Sequence, residues 1–187
     1  MSCRERVLIG GITVVMLAGN IARAQDEAFA PGQAQVEVNV SGRTVSTKAP
    51  LTVQVRPTAE LSAAFDRAGD SETSIRLCVQ ALAPKPGEWT GFHVFLNTPR
   101  VRSTKTIESP HLVGSVAFYG EEEGETVTFA LDLGQTIQHL KQERLWRPNK
   151  PLMVTVVAVP GNILPKRETL GIVIKQIVVS VHATSGS

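Results

Sequence analysis

The sequence has 187 residues, 42% of them hydrophobic and 19% charged, with a formal net charge of +2. This is enough chain for one domain of ordinary size with a real core. Arg4, Glu5, Arg6 and Arg23 all precede position 25, which leaves 16 basic and 16 acidic residues beyond it; this balance argues against nucleic acid or an anionic membrane as a partner, since both require a clustered positive field.

Residues 1–24 read as a secretory signal peptide. "MSCRER" supplies the basic start, "VLIGGITVVMLAG" the apolar run, and "ARA" the small residues before a cleavage point after Ala24. An uncleaved membrane anchor is the other use of such a run, but this one falls short of the ~20 residues a span needs. Cys3 precedes the run, away from a lipoprotein cleavage position. The mature chain is therefore expected to be exported, periplasmic or extracellular, with no membrane contact after cleavage.

Residues 25–33, "QDEAFAPGQ", form a flexible lead-in, and a single domain is expected over 34–182. "AQVEVNV" (34–40) and "LTVQV" (51–55) alternate strictly, as half-buried strands do. "PTAELSAAFDRAG" (57–69) changes period: Pro57 suits a helix start, Leu61, Phe65 and Ala68 share a face, and Gly69 suits the end. Strands resume at "SIRLCVQAL" (74–82). After the loop "APKPGEWTG", "FHVFLN" (92–97) places Phe92, Val94 and Leu96 on one face and His93, Phe95 and Asn97 on the other. "HLVGSVAFY" (111–119) is the next strand, and "GEEEGE" reads as a solvated acidic turn.

"TVTFALDL" (126–133) directs Val127, Phe129, Leu131 and Leu133 inward and Thr126, Thr128 and Asp132 outward. Asp132 and Gln135 have the spacing of a capping box, and Leu133, Ile137 and Leu140 form an apolar helical stripe. "LMVTVVAV" (152–159) is apolar on both faces, which predicts a central, covered strand. In "LGIVIKQIVVSVH" (170–182) the inward set shifts phase between Ile174 and Ile177, which predicts a bulge near Lys175–Gln176. Residues 183–187 are a frayed tail. The expected fold is all-β, an antiparallel sandwich or jelly-roll-like barrel of about eight strands with two short helices.

Cys78 is the only cysteine beyond the signal, so no internal disulfide supports the fold. Its apolar strand argues for a buried, inert thiol; a reactive nucleophile or copper ligand is the other reading. "NVS" (39–41) fits an N-glycosylation acceptor, relevant only in a eukaryote.

The runs "GFHVFLN", "PHLVGSVAFYG", "TVTFALDLGQTIQHL", "PLMVTVVAVPGN" and "GIVIKQIVV" follow one another in an order that resembles the C-terminal domain of polyphenol oxidases and tyrosinases, the type-3 copper enzymes. In plant members that domain carries a K-F-D-V motif. Here Gly91 and His93 stand where it has lysine and aspartate. The resemblance spans roughly residues 91–182. It implies a domain that covers the copper site of its enzyme until displaced.

The same family's catalytic part holds two coppers with three histidines each. This chain has four histidines in all, His93, His111, His139 and His182, and no pair at helical i, i+4 spacing. The resemblance therefore implies the accessory domain without its enzyme, acting in trans on a tyrosinase- or polyphenol-oxidase-like partner.

His93 and His111, on strands joined by the 98–110 loop, are the candidate metal residues. If they stood opposite each other they could hold one copper with help from Met153 or water; otherwise they are polar groups of exposed strands. His139 and His182 read as bland. Serines lack a G-x-S-x-G elbow, and the paired carboxylates of "EEEGE" have nothing to raise a pKa, so no catalytic residue is assigned. Trp89 and Tyr119 are candidate partner-binding aromatics, unless each ring folds back over the end of the sandwich. The alternatives to the accessory reading are a copper-binding or copper-delivery protein using His93 and His111, and a secreted structural or interaction module.

Overall fold

The structure is a computed structural model that describes residues 5–6, 34–70, 73–84, 90–98, 109–148, 150–160 and 171–183. The expected signal peptide and lead-in lie outside these residues except for Glu5–Arg6. So do Trp89 and residues 184–187 of the expected tail.

Among the described residues, nine strands and two helices follow in the order β1 (Glu5–Arg6), β2 (Gln35–Val45), β3 (Leu51–Val55), α1 (Ala59–Asp66), β4 (Thr73–Leu82), β5 (Thr90–Leu96), β6 (Leu112–Ala117), β7 (Thr126–Asp132), α2 (Gly134–Gln142), β8 (Leu152–Pro160) and β9 (Ile172–Ala183). They form two sheets, ordered β1-β7-β4-β9-β2 and β3-β8-β5-β6. Every pairing is antiparallel except the short one between β1 and β7. The sheets face each other as a sandwich without closing into a barrel.

Alternation decides which side chains fill the space between the sheets. Val127, Phe129 and Leu131 of β7 meet Val154 and Val156 of β8 and Phe92, Val94 and Leu96 of β5 in one core. An aromatic cluster ties the layers together. Phe129 lies edge-on to Phe92 at 5.3 Å and to Phe118 at 5.1 Å, the T-shaped arrangement that ring quadrupoles favour.

The bulge falls where the phase shift predicted it. Gln176 and Ile174 have partners on both β2 and β4, and Lys175 between them has none. The extra residue lets Ile172, Ile174, Ile177 and Val179 all point inward.

Helix α1 starts at Ala59, two residues later than Pro57 suggested. Thr58 is its N-cap, and its hydroxyl accepts from the Leu61 amide at 3.2 Å. Helix α2 corrects the capping-box expectation. Asp132 lies one residue before the cap position, its carboxylate accepts from Gly134 N at 2.7 Å, and Gln135 points to solvent. The stripe of Leu133, Ile137 and Leu140 is buried as expected.

The outer faces are not uniformly wet. Thr128 faces outward as expected, yet it is buried, as are Cys78, Ala130 and Val178 on the outer face of the five-stranded sheet. Strand β8 is covered on both sides: Val154, Val156 and Ala158 face the core, and Thr155 and Val157 are buried on the other face.

Candidate functional site

Two places carry the candidate residues: the outer face of β5 and β6, and the sandwich end formed by the turn after β6.

On the first, Phe92, Val94 and Leu96 take the core, so His93 and Phe95 face away from it. His93 lies opposite Ser115 in register, and its Nδ1 is 2.6 Å from the Ser115 hydroxyl. The imidazole is only 8% exposed. Burial disfavours its charged form and lowers its pKa below the usual histidine value. The Phe95 ring lies edge-on to it at 6.2 Å.

His111 is held differently. Its Nδ1 donates to the Leu96 carbonyl at 2.7 Å, and its own carbonyl accepts from Leu96 N. The register thus separates the two histidines by three positions along β5, on the order of 10 Å at the rise of a strand. They do not stand opposite each other. Among the described residues no group of three or more His, Cys, Asp or Glu comes together to hold a metal.

Next to the histidines, hydroxyls hold the strands. Thr155 Oγ1 donates to the Thr98 carbonyl at 2.8 Å, which leaves the Thr52 hydroxyl as donor to Thr155 at 3.0 Å. Neither pairing had a signal in the sequence, because cross-strand partners depend on register.

Gly91, where the plant motif has lysine, meets a backbone constraint. A Cβ there would run into the Val116 carbonyl of β6. Strands β5 and β6 approach too closely at this point for any side chain, so the departure from the motif is built into the backbone.

At the end of the sandwich, Phe118 turns into the core and Tyr119 turns out, 51% exposed. Gly120 and Gly124 adopt φ of 72° and 79°, which lets the chain double back between β6 and β7. Two backbone bonds pin this turn to the end of β4: Ala83 N donates to Glu125 O at 2.8 Å, and Gly124 N to Ala83 O at 3.0 Å. The start of the 83–91 loop therefore lies against the turn that carries Tyr119. Glu122 and Glu123 are exposed, but Glu121 is buried, which corrects the reading of this turn as wholly solvated. The result is a half-exposed tyrosine at the start of a turn that carries two exposed carboxylates, Glu122 and Glu123.

His139 is exposed on the flank of α2. His182, expected to be unremarkable, is buried on the outer face of its sheet with Nε2 3.0 Å from the Ser180 hydroxyl.

No protein-family model matches the chain, and no curated protein does. Solved structures do. A recombinantly expressed latent aurone synthase (polyphenol oxidase) matches with a TM-score of 0.50 and 16% sequence identity, over 82% of this chain and 29% of that one. The chain has the fold of part of a polyphenol oxidase. A latent apple tyrosinase matches with a TM-score of 0.45 and 12% identity, over 80% of this chain and 26% of that one. A Tobacco streak virus coat protein matches with a TM-score of 0.31 and 14% identity, over 82% of this chain and 89% of that one. This chain thus spans well under a third of the oxidase it matches first, consistent with the single C-terminal-type domain that the sequence resemblance implies.

Proposed function

We propose that this chain is an exported, non-catalytic accessory domain that binds a type-3 copper oxidase in trans and shields its site or assists its copper loading. The observation that carries the reading is the fold shared with one part of a polyphenol oxidase, in a chain with too few histidines for a dicopper centre. The aurone synthase it matches is described as latent, which suits a domain that covers an active site. The docking surface is the sandwich end with Tyr119 and the start of the 83–91 loop. Tyr119 presents a phenol, the chemical group such an oxidase acts on, and Glu122 and Glu123 beside it set the charge of the approach. Trp89, in the same loop, is the second expected anchor. Cleavage after Ala24 accompanies export.

The test is diphenol oxidation by a type-3 oxidase encoded beside this protein, titrated with residues 25–187. Activity should fall as the domain is added. Tyr119→Ala should weaken inhibition about tenfold or more, the effect of removing ~1.4 kcal/mol at a central anchor. Substitutions at Glu122 and Glu123 should mainly change the salt dependence. If the wild-type domain neither binds the oxidase nor alters its activity or copper content, the reading fails.

A further inference from the structure

The five-stranded sheet has two edges of different character. At one side, β2 is interrupted by an irregularity in register between Asn39 and Arg43, a device that deters pairing with another chain. At the other, β7 runs in unbroken register with β4 from Thr126 to Asp132 and contains no proline, lysine or bulge. Its open side is occupied by β1, with Glu5 beside Thr128 and Arg6 beside Phe129. The edge is therefore competent to pair, and its occupant belongs to the segment proposed to be cleaved.

We infer that in the mature chain a second copy takes the place of β1, with β7 pairing antiparallel to β7 about a two-fold axis at Phe129. This rests on the proposed cleavage after Ala24. Charge complementarity supports it. At one end of the strand, Lys175 Nζ donates to Thr126 Oγ1 at 3.4 Å; at the other end, Asp132 is exposed. Pairing centred on Phe129 sets Thr126 of each copy opposite Asp132 of the other, so Lys175 faces a carboxylate across both ends of the junction. Between the ends the pairs are Val127 with Leu131, Thr128 with Ala130, and Phe129 with its own copy. All are uncharged, and no like charges meet. A two-fold interface must be self-complementary, and this strand is. In the precursor, β1 covers the same edge and keeps the copies apart.

The experiment compares residues 1–187 with residues 25–187, which contain the core of the described residues from Val36 to Val181. Sedimentation equilibrium over a range of concentrations, with hydrogen exchange over 126–132, should find the full chain monomeric and the shorter chain a reversible dimer with slowly exchanging β7 amides. Lys175 is exposed, so Lys175→Glu should preserve the fold yet weaken the dimer at least tenfold, and added salt should weaken the wild-type dimer. A shorter chain that stays monomeric at all concentrations overturns the inference. So does a dimer indifferent to Lys175→Glu whose β7 amides exchange as fast as a monomer's, or a β7 edge protected only when an oxidase is added. Intact mass of the exported protein tests the cleavage separately: a chain beginning at Met1 keeps β1 on the β7 edge and overturns the inference for the exported protein.

Discussion

Phe129 and His93 show how residues on strands of the two sheets acquire opposite roles. Phe129 faces the space between the sheets and touches two other rings, so its loss leaves a cavity. Phe129→Ala should cost ~3–5 kcal/mol in urea denaturation; a loss below about 1 kcal/mol would place the ring outside the core. His93 faces the other way, yet it is buried against Ser115. Its folded pKa lies below the unfolded value of about 6.5, so folding favours the neutral imidazole. The unfolded chain takes up the proton first as pH falls. Stability is therefore full above about pH 6.5 and declines as pH drops toward the folded pKa. Urea midpoints at pH 7.5 and pH 5 should show a larger drop for the wild type than for His93→Gln, which keeps a polar group without the titration. Equal drops would assign the acid sensitivity to other groups.

Among the elements, the passage from β7 into α2 depends on Asp132. Its carboxylate satisfies the Gly134 amide, one of the donors a helix start leaves without an internal partner. Asp132→Ala should destabilise the domain by ~1 kcal/mol in the same denaturation, with little effect on its near-ultraviolet spectrum because the side chain is exposed. An unchanged midpoint would mean that solvent replaces the carboxylate at no cost. The bulge in β9 solves a different problem. Were Lys175 paired in regular alternation instead of bulged out, either Ile172 and Ile174 or Ile177 and Val179 would face away from the core, since a one-residue slip inverts every side chain. That bulge also frees Lys175 to reach Thr126.

For the whole molecule, copper separates the accessory reading from the copper-carrier reading. Dialysed against a mild chelator, residues 25–187 should retain much less than one copper per chain, because register keeps His93 and His111 apart. Retention of one copper, lost on His93→Ala or His111→Ala, would favour a carrier. The sequence by itself determined the class of fold. Alternation in "LTVQV" and "TVTFALDL", the doubly apolar "LMVTVVAV" and the phase shift at Lys175–Gln176 are local patterns, and each maps directly onto a strand and its buried face. The candidate site was legible only in part. Tyr119 could be picked out as a turn aromatic, but the burial of Glu121, the Ser115 partner of His93 and the separation of the two histidines could not. These depend on which residues stand opposite one another after the strands pair. Pairing joins positions far apart in the chain, so the constraint on Gly91 comes from the Val116 carbonyl, which no pattern around Gly91 encodes.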